Sequence, residues 1–194
     1  MIRTVCIALA LLLALAAPVI AGPFEDGLAA YERKDYTTAL KLWRPLAEEG
    51  YADAQHNLGV MYDNGEGVPQ DDAEAVKWYR QAAEQGDADA QNNLGAMYQN
   101  GEGVLQDYAE AVKWYRMAAE QGDAHAQSNL GYVYANGYGV PKDFVQAYMW
   151  SSVAAASGSK PAQKNRELFA KHMTPDQIAE AQRMSREWMA EHQR

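Results

Sequence analysis

The apolar residues between positions 51 and 158 follow the spacing of helices. Ala54 and Leu58 lie four positions apart, which places them on one face of a helix. A second helical face follows in the same stretch: Ala75, Trp78, Tyr79, Ala82 and Ala83. Between these faces, Gly65 tolerates the left-handed backbone of a helix end, and Asp71 supplies a carboxylate cap for the next helix. The pattern predicts helix pairs and an all-α fold.

This helix pair is repeated along the chain every 36 residues. Residues 51–86 and 87–122 align without a gap and are identical at 29 of 36 positions, and residues 123–158 keep the same framework more loosely. Several residue types recur in register: Leu58, Leu94 and Leu130; Tyr62, Tyr98 and Tyr134; Trp78, Trp114 and Trp150; Gly86, Gly122 and Gly158. Such a period indicates stacked units that share one continuous core. We expect Trp114 to be a large core aromatic where two units meet.

The segments on either side of the three units look like end caps. Residues 22–50 keep part of the pattern with a shorter inner loop, and we interpret them as an N-terminal helix pair. Residues 159–194 lose the pattern but contain a capping box at Thr174 to Gln177, followed by an amphipathic helix. A polar terminal unit is what keeps a solenoid soluble. We therefore expect about ten helices in five antiparallel pairs.

Residues 1–21 have the order of a secretory signal peptide. Arg3 precedes an apolar run, and small residues end at Ala21, where we predict cleavage. The run is too short to cross a bilayer with margin. Cys6 is the only cysteine and would be removed with this segment. The mature protein is predicted to be periplasmic or secreted, without disulfides, and not attached to the membrane after cleavage.

Composition excludes several classes of ligand. The formal net charge of −9 repels phosphate backbones and anionic lipids, so we expect no nucleic-acid or membrane partner. The four histidines share no i, i+4 spacing, and the mature chain has no thiolate. Metal-ligand clusters and catalytic constellations are therefore absent from the pattern. We expect no metal, no cofactor and no enzymatic activity.

The repeated positions resemble a known family. Residues of the first unit, in the order Ala54, Leu58, Gly59, Tyr62, Gly65, Gly67, Val68, Asp71, Ala75, Trp78, Tyr79, Ala82, Ala83 and Gly86, are similar to the Sel1-like repeat. Residues 24–50 look more like the shorter-looped tetratricopeptide repeat. The resemblance implies a right-handed α-α superhelix, a solenoid whose first helices line a concave groove. It also implies a scaffold or adaptor role, and it names no partner.

The differences between the two nearly identical units suggest a binding surface. Three of the seven differing positions are spaced i, i+4 and i+7 on the first helix, so they form one line along it, which we call the variable stripe. Its candidate partner-binding residues are His56, Val60 and Asp63; Asn92, Ala96 and Gln99; and Ser128 and Tyr132. Ala135 completes the third set. If the stripe faces the groove, each unit presents a different contact to a protein or peptide; an exposed stripe that varies freely is the other interpretation.

A row of asparagines leaves two interpretations open. Asn57, Asn93 and Asn129 recur one residue before Leu-Gly. Amide side chains can satisfy both donors and acceptors of an extended peptide, so the row could bind a ligand. A hydrogen bond that fixes the stacking of neighbouring units would be the same in every unit and explains the strict recurrence better.

Two alternatives to the scaffold hypothesis follow from other features. Ser157 to Lys160 match the S-x-x-K pattern of serine hydrolases and penicillin-binding enzymes, although the accompanying S-D-N and K-T-G elements are missing. Ser157 would then be the nucleophile. The second alternative is a structural envelope component that binds glycan through aromatic faces. The scaffold that binds a partner segment in its groove remains the leading hypothesis.

Overall fold

The computed structural model describes residues 22–192, and the predicted signal peptide lies outside them. The described part contains ten α-helices and no strand. The helices are α1 (Pro23–Glu32), α2 (Tyr36–Glu48), α3 (Ala52–Asn64), α4 (Asp72–Glu84), α5 (Ala88–Asn100), α6 (Tyr108–Glu120), α7 (Ala124–Asn136), α8 (Phe144–Ala156), α9 (Lys160–Ala170) and α10 (Pro175–His192). The all-α repeat fold is confirmed. Within residues 22–192, every helix is too short or too polar to cross a membrane.

Local chemistry sets the helix boundaries. The Asp71 carboxylate accepts hydrogen bonds from the backbone N–H groups of Ala73 and Glu74 and begins α4, and Asp107 and Asp143 begin α6 and α8 in the same way. Gly65 ends α3 with φ of 69°, a left-handed conformation that costs glycine nothing. The same signals recur in each unit, so each unit folds into the same helix pair.

The helices stack in chain order. Each helix from α1 to α8 packs against the next one along the chain. In addition, α3 approaches α5 and α7 approaches α9, so the first helices of neighbouring units contact each other. Close approach within a unit depends on glycine: a Cβ added at Gly59 would lie 2.5 Å from the ring of Tyr79, and one at Gly95 would lie 2.7 Å from Tyr115. The tyrosine ring therefore lies directly on the first helix of its own unit.

In the second unit, the aromatic residue at the centre of the core is the tyrosine and not the tryptophan. Trp114 is half-buried, whereas its neighbour Tyr115 is 1% exposed. Successive helical residues point about 100° apart, so the two aromatics contact different neighbours. In the first unit both Trp78 and Tyr79 are buried, whereas Trp114 packs at the edge of the core. The expectation that Trp114 is a core residue is therefore corrected.

The last two helices do not form a fifth antiparallel pair. Helix α9 packs on α8 and α7, as the first helix of a further unit would. Helix α10 packs on α8, with Ala181 fully buried and Trp188 edge-on to Trp150 at 5.7 Å between ring centroids. It covers the apolar face that α8 would otherwise present to solvent. The capping role expected of residues 159–194 is thus divided between two helices on different sides of α8.

Candidate functional site

The variable stripe lies on the first helices α3, α5 and α7. Seven of its eight candidate residues are half-buried, and Tyr132 is 45% exposed. The stripe is therefore accessible along its length, but most of its side chains also touch the protein itself. These internal contacts determine which members remain available to a partner.

The asparagine row links neighbouring units through the stripe. Asn93 Nδ2 lies 3.2 Å from His56 Nε2, and Asn129 Nδ2 donates to Asn92 Oδ1 at 2.9 Å. Asn93 and Asn129 thus reach the stripe position of the preceding unit, as the stacking interpretation requires. His56 and Asn92 consequently fix the distance between adjacent first helices.

The stripe position nearest the end of each first helix is joined to the core tyrosine. The Tyr79 hydroxyl donates to Asp63 Oδ2 at 3.1 Å, and the Tyr115 hydroxyl donates to Gln99 Oε1 at 3.4 Å. Burial raises the pKa of the Asp63 carboxyl, and the Tyr79 hydrogen bond partly opposes that rise. The pKa of Tyr79 is raised by burial and by the Asp63 charge, so its hydroxyl stays protonated as the donor.

The third unit lacks this pair of side chains. Ala135 and Ser151 occupy the positions of Asp63 and Tyr79, and the buried Ser151 Oγ has no hydrogen-bond partner in the described part of the chain. Ala135 packs with Ala147 and Phe169. Apolar contacts to α9 therefore replace the polar pair, and the surface of the third unit differs from that of the other two.

Two clefts open where α7 faces α9. The first, the serine cleft, has a volume of about 530 Å³ and lies at the N-terminal ends of these helices. It is lined by Asn92, Ala124, His125, Ser128, Asn129, Ser157, Gly158, Ser159 and Pro161. It includes two stripe residues from successive units. The serine cleft is therefore shared by the first helices of units two and three and by the start of α9.

The second cleft, the aromatic cleft, lies at the other end of the same two helices. Its volume is about 300 Å³, and it is lined by Tyr132, Ala135, Asn136, Lys142, Phe144, Asn165, Leu168, Phe169 and His172. From His125 to Asn136, α7 rises by roughly 16 Å. We call this surface, from the serine cleft to the aromatic cleft, the α7–α9 groove. It is long enough for about five residues of an extended peptide.

The α9 side of the groove was missed in the sequence. A signal for it was present, since Ala162, Gln163 and Asn165 repeat Ala126, Gln127 and Asn129 after a further 36 residues. This remnant identifies α9 as the first helix of a fourth, incomplete unit. Residues 159–194 were interpreted only as a cap, so Leu168 and Phe169 were not predicted as groove residues.

The geometry around Ser157 does not support a serine nucleophile. Ser157 is the C-cap of α8, Gly158 follows with φ of 91°, and Lys160 begins α9. The serine and lysine therefore lie on different helices, and not one turn apart on a single helix as the S-x-x-K chemistry requires. His125 lines the same cleft, yet no hydrogen bond joins it to Ser157 within residues 22–192. No group of side chains in that range could hold a metal ion.

Comparison with known proteins identifies the repeat. The family model of the Sel1 repeat matches residues 22–51, 52–87, 88–123 and 124–159. The first match includes the helix pair that resembled the tetratricopeptide repeat, and its inner loop, residues 33–35, is shorter than residues 65–71 of the next unit. None of the curated proteins matches the chain.

Two crystal structures are similar in both sequence and shape. A protective antigen of uropathogenic Escherichia coli strains, described as displaying an SLR fold, is 39% identical, with a TM-score of 0.74 over 88% of this chain and 37% of that protein. A Sel1 repeat protein from Oxalobacter formigenes is 38% identical, with a TM-score of 0.71 over 75% of this chain and 60% of the other. The chain thus spans less than two thirds of each. Sel1-repeat proteins are generally protein-interaction scaffolds. The chain belongs to the Sel1 repeat family.

Proposed function

We propose that this protein is a non-enzymatic scaffold that binds an extended segment of a partner protein along its first helices. The observation that carries the proposal is the α7–α9 groove, which joins two clefts on facing first helices and contains the stripe residues Ser128 and Tyr132. The surrounding framework is copied from unit to unit, whereas the groove positions of Ser128 and Tyr132 carry different residues in the other two units. A scaffold that presents different side chains from identical supports is suited to recognising a partner of defined sequence.

Exchanging stripe residues between units tests this proposal without damaging the fold. Replacing Ser128 with Asn and Tyr132 with Ala gives the third unit the residues found at Asn92 and Ala96 of the second. We expect the double variant to keep its melting temperature within a few degrees and to lose at least about tenfold in affinity for its partner. Tenfold corresponds to roughly 1.4 kcal/mol, which one groove side chain can supply.

The same kind of exchange on a second helix is the matched control. Met117→Gln places the residue of position 81 on α6, where Met117 is 44% exposed and away from the groove. Its affinity for the partner should stay within about twofold of the unchanged protein, since rim and outside positions carry little binding energy. Loss of binding in this control, with retention in the groove variant, would place the interface on the second helices.

The first unit offers an independent test. His56→Asn, Val60→Ala and Asp63→Gln give α3 the residues of α5, which keep both internal hydrogen bonds. The stability cost should be about 1 kcal/mol or less. Weaker binding of the partner would show that the contact extends beyond the α7–α9 groove to the stripe of the first unit. Unchanged binding would confine the contact to the α7–α9 groove.

We also propose that the protein acts in the periplasm or outside the cell, because residues 1–21 have the order of a signal peptide. Intact mass of the protein recovered from the cell envelope should correspond to a chain that begins at Gly22. A mass that retains Met1 to Ala21, or recovery from the cytosol alone, would refute export.

A further inference from the structure

The aromatic cleft leaves large apolar side chains on the surface. Leu168 is 50% exposed and Tyr132 is 45% exposed, and they line the cleft together with the half-buried Phe144 and the buried Phe169. Exposed apolar side chains that lie singly need no explanation, but a concave group of them marks a binding site. A volume of about 300 Å³ suits one large side chain of a partner.

Neighbouring aromatic rings hold the walls of the cleft in place. Tyr132 lies edge-on to Tyr138 at 6.0 Å between centroids, and Tyr138 stacks on Tyr108 at 4.8 Å. On the other side, His172 stacks on Phe144 at 4.8 Å and an interplanar angle of 10°. Rings that are already packed lose little freedom when a ligand arrives, so the cleft is preformed.

The rim of this cleft is cationic in an otherwise acidic protein. Lys142 lines the cleft, with Nζ 4.8 Å from the centroid of Phe144. Lys164 and Lys171 are exposed, four positions before and three after Leu168, so they flank it along α9. None of these lysines forms an ion pair within the described residues. Units one and two have Gln70 and Gln106 in place of Lys142.

We infer that the aromatic cleft binds one apolar side chain of an acidic partner segment, with Lys142, Lys164 and Lys171 contacting carboxylates on either side of that anchor. The inference rests on the proposed scaffold function and names the chemistry of its partner. An acidic segment is repelled by most of a surface whose net charge is −9, so the lysine rim also determines where on the protein it can bind.

Peptides of defined composition test the inference on the purified protein. The probe is a fluorescein-labelled octapeptide with a central leucine and four glutamates, and its affinity is measured by fluorescence anisotropy. Replacing the leucine with alanine should weaken binding about tenfold, as should raising the salt from about 50 to 500 mM, which screens exposed charges. A peptide with lysines in place of the glutamates should not bind measurably.

Three lysine substitutions on the protein complete the test. Lys142→Gln, Lys164→Gln and Lys171→Gln together should weaken the acidic peptide about tenfold and leave the fold intact, since all three side chains are exposed. The matched control removes the same charge from second helices, by changing Lys41, Lys77 and Lys113 to glutamine. Its affinity should stay within about twofold, and an equal loss in both variants would overturn the inference.

The cleft residues separate failure of the inference from failure of the proposed function. If Tyr132→Ala and Leu168→Ala weaken peptides of every charge equally, the groove stands as a binding site and the acidic preference is wrong. If peptides bind and neither substitution changes their affinity, the assignment of the groove as the binding site is wrong. Absence of binding by the acidic peptide overturns the inference while leaving the exchange experiments on the partner unaffected.

A second copy of the chain is the competing occupant. Leu105 is 91% exposed on the loop between α5 and α6, between Glu102 and Asp107, where the other units have Pro69 and Pro141. We expect sedimentation velocity to show the same association state for the unchanged protein and for Leu105→Pro. Self-association that this substitution abolishes would assign the cleft to the loop of another molecule and overturn the inference.

Discussion

The junction between the first two units and the junction between the third unit and α9 are held together differently. At the first, Arg80 donates to the Tyr98 hydroxyl at 2.7 Å, and Gln91 donates to the Ala83 carbonyl at 3.0 Å. At the second, Ser152 replaces the corresponding arginine on α8 and turns back to its own helix, donating to the Tyr148 carbonyl. A polar junction that repeats fixes the stacking of units, and the contact made by Arg80 is missing between the third unit and α9.

The glutamines show this difference most directly. Gln91 donates to the Ala83 carbonyl at 3.0 Å and accepts from Gln121 at 2.8 Å. Gln127 makes the first of these contacts, donating to the Ala119 carbonyl of the preceding unit at 3.2 Å. Its Oε1 has no partner in residues 22–192, because Ser157 stands where Gln121 would recur. The same residue is therefore fully satisfied in one unit and half-satisfied in the next.

The largest expected effect concerns the core that both junctions share. Tyr115→Ala should destabilise the protein by about 3–5 kcal/mol in urea unfolding, because the buried ring fills the space against Gly95. Trp114→Ala should cost about half as much, since Trp114 is half-buried and its indole N–H has no partner within the described residues. Tyr115→Phe, which keeps the ring, should cost about 1 kcal/mol or less. A larger loss for Trp114 than for Tyr115 would contradict the assignment of the core.

The next largest expected effect is a difference in stability loss between substitutions at Gln91 and at Gln127. Gln91→Met removes two hydrogen bonds and should cost about 2 kcal/mol, whereas Gln127→Met removes one and also removes the unpartnered oxygen. We expect about 1 kcal/mol for Gln127. Equal losses in parallel chemical unfolding would show that the Gln121 contact contributes nothing.

Restoring the missing partner should stabilise the protein. Ser157→Gln gives the third unit the residue of position 121, and a cavity of about 160 Å³ beside Gln127 is lined by Ser157 and can receive the longer side chain. We expect a gain of about 1 kcal/mol from the completed hydrogen bond. Ser157→Ala is the control and should be nearly neutral. A melting temperature lowered by Ser157→Gln would refute the repeated-glutamine account.

The smallest expected effect is a pH dependence of stability that the first unit has, through Asp63, and the second unit lacks. Because burial raises the pKa of Asp63 above 3.8, folding favours its protonated form, and its contribution to stability is lost as pH rises through the raised value. Asp63→Asn removes this titration and still accepts from Tyr79, as Gln99 accepts from Tyr115. The variant should therefore gain stability relative to the unchanged protein between pH 3.8 and neutrality. Gln99→Asn should show no such gain with pH.

Local sequence signals predicted the helices, but they could not predict the contacts between units. The caps at Asp71 and Gly65 depend on a few neighbouring residues, so the helix boundaries could be predicted. The direction of the Trp114 side chain depends on how α6 is rotated against its neighbours. The apolar pattern does not decide whether Trp114 or Tyr115 points to the centre of the core. The bond between Asn93 and His56 requires the spacing of adjacent first helices, which no single unit specifies.

The candidate site was predicted in part for the same reason. Variation between units indicated Ser128 and Tyr132, and both line the α7–α9 groove. It did not indicate Leu168, because α9 keeps only a short remnant of the repeat, or Lys142, because the two nearly identical units share glutamine at that position. The packing of α10 on α8 follows from which apolar face remains uncovered, and that is a property of the assembled chain.

Site-specific photo-crosslinking tests the central claim, that a partner lies in the α7–α9 groove, most directly. A photoreactive phenylalanine derivative is placed at Tyr132 or Leu168 in the groove, or at Met117 on the outer face of α6, three positions with comparable exposure. Cells that express each variant are irradiated, and the crosslinked partner is identified by mass spectrometry. The account predicts one common partner at Tyr132 and Leu168 and none at Met117. The same partner captured at Met117, with no crosslink at either groove position, would contradict it.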